Sequence, residues 1–419
     1  MEQLHKRFSD DQVNDLIKRY VARQIKRQHL QQILGIKRRR LCMLVNKYIE
    51  SPANFSIQYS RSLKTRSIDT AIEKNIVKEL AIDKKLIEDK NVPLKSYNYS
   101  YIQSRLEDKY RQKVSLPTII DRAKKNDFYL SRNSRKKIHD REVLTNHVGE
   151  LIQHDSSHHL WSPYAPAKWY LITSIDDYSR FMFYAKIISH ESSWAHIEAL
   201  ESVFLKYGLP LSYYVDSHSI FRFVRGRDDI LYQHHLFTDQ VNPQWKQVLS
   251  DCGVEVIYAL SPQAKGKIER PYGWLQDRLI RTCARENVTD TKHAQAILNK
   301  EMFRYNYRQI HSTTQEIPFI RFQKALNENI SLFRQFAVKP PFLSTKDIFC
   351  LRLFRTADAY RRISVNNCSL KVNNLDPYQT VNLRIYPLNA SFSEVRFWAN
   401  NKLLDVQKLK NDAFKGVHF

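Results

Sequence analysis

Long apolar runs are missing from this chain. None approaches the ~20 residues that cross a bilayer, and the mean hydropathy is −0.53, which argues against a membrane-embedded helical protein. Paired cysteines are missing as well: Cys42, Cys252, Cys283, Cys350 and Cys368 are scattered without a CxxC pair. That spacing speaks against zinc knuckles and a disulfide framework, and leaves free thiols in a reducing compartment as the expectation. No charged-then-apolar leader opens the sequence, so a cytoplasmic location is expected. Neither a repeat at a solenoid period nor a long low-complexity tract interrupts it. Acidic residues are the scarcer charge, 43 Asp and Glu against 67 Lys and Arg, for a net +24.

The 419 residues imply about two to four domains, and a hydrophobic content of 42% with 12% aromatics supplies cores for them. The basic excess makes a field that attracts polyanions. It is concentrated in residues 1–150, which carry 33 Lys and Arg against 18 Asp and Glu; neutralising phosphates there would release counterions and drive association. A solvated basic surface or an anionic membrane face gives the same sum, but nucleic acid, with no membrane partner, is the reading taken.

Helical patterns come first. Ser9, followed by Asp10 and Asp11, makes an N-cap and dipole signal ahead of Val13, Leu16, Ile17 and Tyr20, which share one helical face. Arg27 to Leu34 reads as a short second helix stopped by Gly35, and Lys37, Arg38, Arg39 and Arg40 open a third that carries Leu41, Leu44, Val45 and Tyr48. A glycine turn between short helices and then a basic helix is the layout of a helix-turn-helix entering a major groove. A plain three-helix bundle with a charged face has the same pattern. Further helices are expected over Ile68 to Glu88, Tyr99 to Tyr110, and Leu116 to Asn126, the last with Pro117 in its first turn. This set resembles a second helix-turn-helix, with Thr118, Arg122, Lys124 and Lys125 as candidate phosphate or base contacts. Arg135, Lys136 and Lys137 then fall in a basic run, either a linker along a DNA backbone or a solvated hinge. The expected boundaries are 1–60 and 61–130 for two DNA-binding domains and 131–148 for the linker.

From Gly149 the pattern changes to strands. Leu151 to Asp155, Trp169 to Ile175 and Phe181 to Ile188 read as a three-strand meander, with Asp176 and Asp177 shaping a turn. A helix over Ser192 to Tyr207 precedes a strand, Leu211 to Val215, that ends at Asp216; then come a helix near Trp245 to Cys252, a strand over Val254 to Tyr258, and a helix from Lys267 to Arg285. Antiparallel strands followed by alternating strands and helices give the order of a ribonuclease-H-like sheet, expected over 149–325. After Pro340 and Pro341, five short strand patterns predict a small β-barrel or sandwich over 340–419. Arg352, Arg355, Arg361 and Arg362 mark it for target DNA or subunit contacts, folding support being the alternative. The whole is a multidomain α/β architecture.

Asp155 and Asp216 each follow an apolar strand, where an α/β crevice opens, and Glu269 lies where a loop runs into a helix. Together they offer three hard oxygen donors from three elements. Phosphodiester cleavage needs an activated nucleophilic oxygen and a stabilised leaving oxygen, and a pair of divalent ions does both. Magnesium prefers oxygen ligands and keeps water and phosphate in its shell, so few carboxylates suffice. His154, His158 and His159 have no necessary part in such a site.

These residues resemble a known family, bacterial insertion-sequence transposases with a retroviral-integrase-like core and an acidic triad of two aspartates and a glutamate. The resemblance is carried by Gln153-His154-Asp155-Ser156-Ser157 with Trp161, by Ser174 to Arg180, by the Asp216 strand, by Ser261 to Arg270, and by Tyr305 to His311 with Pro318. It covers residues 150 to about 320. It implies that Asp155, Asp216 and Glu269 bind Mg2+, with Mn2+ as a substitute, and catalyse strand cleavage and strand transfer. It also implies double-stranded DNA partners, both element ends and target, and a homo-oligomer that holds two ends. Two features depart from the common pattern: Ser217-His218 follows Asp216 in place of Asn-Gly, and the interval from Asp216 to Glu269 is 53 residues. Both are similar to an ISNCY-like branch, with Arg222 to Gln240 as an insertion. His218 is a candidate phosphate contact, and Lys265, Lys267 and Arg270 are expected on the DNA backbone near the scissile phosphate. Trp274 and Leu275 are expected in the core. A DNA-binding regulator with an inactive core and a ribonuclease-H-like nuclease are the competing functions.

Overall fold

The structure, a computed structural model, describes residues 4–58, 68–130, 145–216, 243–259, 266–365 and 368–414, without the side chains of 266–270. Arg135, Lys136, Lys137, His218 and Lys265 lie outside the described residues, as do the side chains of Lys267, Glu269 and Arg270. The chain divides into two compact units, residues 1–73 and 74–419.

In the first unit, α1 (Asp10–Val21) starts where the Ser9 side chain accepts the Gln12 amide and the Gln12 side chain returns to the Ser9 amide, a reciprocal cap. Helix α2 (Arg27–Leu34) ends at Gly35, whose φ of +64° suits a residue without Cβ. Helix α3 (Arg38–Glu50) follows at once. Val13, Ile17, Leu30, Leu34, Leu41 and Leu44 form the core, closed by Phe55 and Ile57. That closing segment is fastened by Asp10, whose carboxylate accepts the Ile57 amide at 2.9 Å and the Ser56 hydroxyl at 2.8 Å. These bonds, the amide first, hold its pKa below the usual carboxylate range.

Helix α4 (Thr70–Glu88) runs across the boundary into the second unit, followed by α5 (Tyr99–Tyr110) and α6 (Leu116–Lys125). Strands β1 (Leu151–His159), β2 (Trp169–Asp176) and β3 (Met182–Ile188) form an antiparallel meander. Then come α7 (Ser193–Tyr207), β4 (Ser212–Val215), α8 (Gln244–Asp251), β5 (Glu255–Tyr258), α9 (Gly266–Arg285), α10 (Thr291–Tyr307), α11 (Pro318–Asn327) and α12 (Thr345–Ile348). The sheet order is β3-β2-β1-β4-β5, with β4 and β5 parallel to β1, a mixed α/β layer. Both faces are covered, which is why β2 is almost wholly buried. Ile152 and Ile172 face α7, whereas Leu171 and Ile175 face Leu275 and Leu279 of α9. The turn after β2 is built as its sequence suggests: Asp176 accepts the amides of Gly149 and Ser179 and the Ser179 hydroxyl, and Asp177 accepts from Gln153 and Arg180.

Helices α4 and α5 are laced to α9 by buried charge. Arg281 reaches Asp83 at 2.7 Å, Arg285 bonds both Asp83 and Glu79, and the Tyr101 hydroxyl meets Thr282 at 2.9 Å. Arg278 continues the row to Glu301 of α10 at 2.7 Å. Burial pushes the Asp83 carboxyl up despite the two guanidinium groups. It is the largest influence on Glu79 too, but Arg285, Tyr110 and Arg105 together outweigh it and the net shift is downward.

The C-terminal strands are β6 (Leu351–Thr356), β7 (Arg362–Val365), β8 (Cys368–Lys371), β9 (Thr380–Pro387), β10 (Phe392–Ala399) and β11 (Lys402–Lys410). The expected barrel is corrected here: among the described residues they make an open antiparallel sheet, β11-β10-β9-β6, and a separate β7-β8 ribbon. The sheet has no need to curl on itself because its apolar face continues into the main core, where Leu351, Leu383, Val395 and Phe397 join one cluster with Ile152, Leu200, Phe204 and Trp245. Arg352, expected at a DNA or subunit contact, is instead buried and bonds Asp251 of α8 at 2.7 Å. Arg361 and Arg362 are exposed. A strap, residues 330–338, bridges Ser331 to Val148 and Arg334 to Leu209 and packs Phe333, Phe336 and Val338 against the cluster that the two sheets share. It runs so close that a Cβ on Gly208, at φ +99°, would meet the Arg334 carbonyl oxygen at 2.5 Å.

Candidate active site

Asp155 stands within β1 rather than at its end, because Ser156 to His159 go on pairing with Trp169 to Ile172. Its neighbours alternate across the sheet, as strand geometry requires. His154 and Ser156 face α7; Asp155 shares the α9 face with its cross-strand partner Thr173. Strand β4 runs parallel to β1 with Gln153 opposite Tyr214. That ladder ends at Gln153 and Tyr214, so Asp155 and Asp216, just past the end of β4, lie two residues beyond the last pair at the same end of the two strands. Both carboxylates are partly exposed.

Helix α9 closes over the pair. The buried Tyr272 hydroxyl donates to the Asp155 carbonyl at 2.7 Å and accepts from the Thr173 hydroxyl at 2.9 Å. Burial, then the charge of Asp155, pushes this phenol well above its usual range, with Glu191 and Asp216 adding in the same direction. The helix therefore sits where both carboxylates are felt. Glu269 comes three residues before Tyr272 in the backbone of α9. Among the described residues no three His, Cys, Asp or Glu groups converge as a metal cluster; the third member of the expected triad has its side chain outside them. The donor chemistry suits a hard divalent cation: two partly exposed carboxylates, with the His154 imidazole turned to the other face.

His154 is buried, bonding Ser174 at 2.8 Å and His196 at 2.9 Å. His158 is exposed and stacks on Tyr170 with centroids 4.3 Å apart. Leu275 is fully buried, as expected, and partly buried Trp274 lies under the Arg278 guanidinium at 4.9 Å. Sequence reasoning passes over Tyr272 and Glu191. For Tyr272 a signal exists, its place one turn after Glu269.

Of the DNA-contact candidates, Lys37, Arg38, Arg39 and Arg40 are all exposed at the start of α3. Thr118 bonds Ser115 at the start of α6, Arg122 and Lys125 pair with Asp121, and Lys124 lies 4.9 Å over the Tyr129 ring. No described helix is long and apolar enough to cross a membrane.

No family model matches the chain. It is 33% identical over 178 residues to the protein y4bF of Sinorhizobium fredii, named as a transposase, covering 42% of this chain and 37% of that one. It is 28% identical over 163 residues to the transposase for insertion sequence IS1202 of Streptococcus pneumoniae, covering 39% and 33%. Among solved structures, the catalytic core domain of BIV integrase aligns at 15% identity and a TM-score of 0.30 over 43% of this chain and 98% of that one. The HTLV-2 integrase catalytic core domain in complex with magnesium aligns at 17% and 0.29, over 43% and 99%. The chain is thus similar, over about two-fifths of its own length, to proteins named as transposases, and it spans about a third of the length of those relatives.

Proposed function

We propose that the protein is a transposase that binds the terminal inverted repeats of an insertion sequence and carries out metal-dependent strand cleavage and strand transfer on a ribonuclease-H-like core. The observation that supports this reading is Tyr272 of α9, bonded to the Asp155 carbonyl and with its pKa raised by burial and by the charges of both Asp155 and Asp216, at the end of the paired strands β1 and β4. The similarity to named transposases agrees with it. In this reading Asp155, Asp216 and Glu269 hold Mg2+, or Mn2+ in its place. Such ions, when bound, supply an acidified oxygen nucleophile and charge for the leaving oxygen. The chain's own part is positional. Tyr272 and Thr173 fix the backbone of Asp155, and β1 and β4 carry the two aspartates to one end of the sheet. With water as nucleophile the result is cleavage; with a DNA 3′-hydroxyl it is joining. An ISNCY-like branch accounts for the long interval before Glu269.

DNA recognition falls to α1–α3 and α4–α6 as two helix-turn-helix heads. In the first, the exposed Lys37 to Arg40 row is the phosphate-facing start of the recognition helix. In the second, Thr118, Arg122, Lys124 and Lys125 take that part. Arg135, Lys136, Lys137, His218, Lys265, Lys267 and Arg270 are proposed backbone contacts nearer the scissile bond. Two ends must be held at once, so a homo-oligomer is the working form.

The test is a nicking and strand-transfer assay on duplex element ends with Mg2+ or Mn2+. Asp155→Asn and Glu269→Gln are each expected to lower product at least 100-fold while DNA binding persists; equal product from all three proteins would remove these residues from the chemistry.

A further inference from the structure

The two residues that flank Asp155 are joined to each other on the far side of β1. The His154 Nε2 lies 2.9 Å from the His196 Nδ1, the His196 Nε2 lies 3.0 Å from a Glu191 carboxylate oxygen, and the Ser156 hydroxyl donates to that same oxygen. The path starts on residue 154 and returns on residue 156, so together with the strand backbone it closes a ring around Asp155. Outside the ring, the His154 Nδ1 is 2.8 Å from the Ser174 hydroxyl of β2. His154 and His196 are fully buried, and the ring of His154 stacks on Trp245 with centroids 5.7 Å apart.

With one proton on each imidazole, the carboxylate sets the direction of the chain. His196 donates through Nε2 to Glu191, which leaves its Nδ1 to accept from the Nε2–H of His154, and the His154 Nδ1 then accepts from Ser174. Every member has a partner, and such a satisfied buried network rigidifies what it touches. Asp155 is thus held twice, by Tyr272 at its carbonyl on one face and by this ring at both neighbours on the other.

We infer that Glu191, through Ser156 and the His196–His154 pair, is a positioning residue that sets the Asp155 carboxylate for its divalent cation. This rests on the proposed metal-dependent function of that carboxylate. Groups that orient a metal's ligands typically change its affinity about 10–100-fold when removed. Glu191 acts here as a hydrogen-bond acceptor for two donors, a part that a glutamine oxygen can also fill.

The experiment is direct Mn2+ binding to the full chain by calorimetry, alongside the Mn2+ concentration that half-activates end cleavage. Glu191→Ala and Ser156→Ala are each expected to weaken Mn2+ binding about 10-fold or more, with DNA affinity unchanged. Glu191→Gln is expected to stay within about threefold of wild type. Ser156→Ala removes only a hydroxyl from a partly exposed position, so it tests the ring where Glu191→Ala fails to fold. If Asp155→Asn abolishes Mn2+ binding while both ring-opening variants bind like wild type, the ring does not position the ligand and the inference falls, with the function intact. Loss in Glu191→Gln as deep as in Glu191→Ala would also overturn it, since charge and not hydrogen bonding would then be what matters. Binding indifferent to Asp155→Asn would remove the function and the inference together.

Discussion

In the turn after β2, Asp176 is fully buried and its carboxyl is pushed up to about 6, burial outweighing the bonds from Ser179 and Gly149 that lower it. An unfolded aspartate titrates near ~3.9, so the folded chain holds this proton more tightly. The resulting stability is fully present below about pH 4 and is lost as pH rises through about 6. Two pKa units correspond to roughly 3 kcal/mol. In paired urea titrations, the stability margin of wild type over Asp176→Asn is expected to widen by about that much between pH 7 and pH 4; a margin flat with pH would contradict the burial argument. Tyr272 gives a second test. Tyr272→Phe leaves the Asp155 carbonyl and the Thr173 hydroxyl without this partner, at a cost of about 1–3 kcal/mol in thermal unfolding and with a loss of cleavage.

Helix α9 depends on partners far away in sequence. Removing one side of a buried ion pair leaves the other charge uncompensated, at about 3–5 kcal/mol. Asp83→Ala is therefore expected to destabilise the second unit by that order and to raise amide exchange in α4, α5 and α9 together; exchange rising in α4 alone would mean that the lacing does not couple them. Such pairs are hidden in the sequence. Arg278, Arg281 and Arg285 lie on one side of α9 and look like a solvated basic face, because the acidic partners of the last two, Glu79 and Asp83, come about 200 residues earlier. Arg352 reads as a surface residue for the same reason. The local signals are legible: the Ser9 cap, Gly35, Pro117 and the apolar runs of β1 to β3 each act within a few residues. Read from its residues alone, β1 stops at Asp155 because Ser156 to His159 are polar, and only pairing with β2 makes them strand. The last strand, Lys402–Lys410, alternates with charge at a sheet edge and offers no apolar run to find. Of the proposed site, Asp155 and Asp216 are singled out in the sequence as strand ends, which holds for Asp216 after β4 and fails for Asp155 inside β1. The ring behind them cannot be singled out in this way, because Glu191 and His196 meet β1 only through the fold.

Across the molecule, the net charge of +24 predicts a steep loss of DNA affinity with salt. If α3 lies on phosphates, replacing Lys37, Arg38, Arg39 and Arg40 with glutamine should flatten the slope of log K against log salt by about 1 for each phosphate no longer neutralised. A slope that does not change would take α3 off the DNA. The strap and the shared apolar cluster bear on something else, the way such a chain can be recombined in evolution. Residues 4–57 own their core and can be traded between relatives as a cassette. The C-terminal sheet cannot, since its inner face is completed by α7, α8 and strands of the five-stranded sheet. A crossover near residue 340 would join two half-cores shaped for different mates, so the five-stranded sheet and this tail are expected to be inherited as one piece.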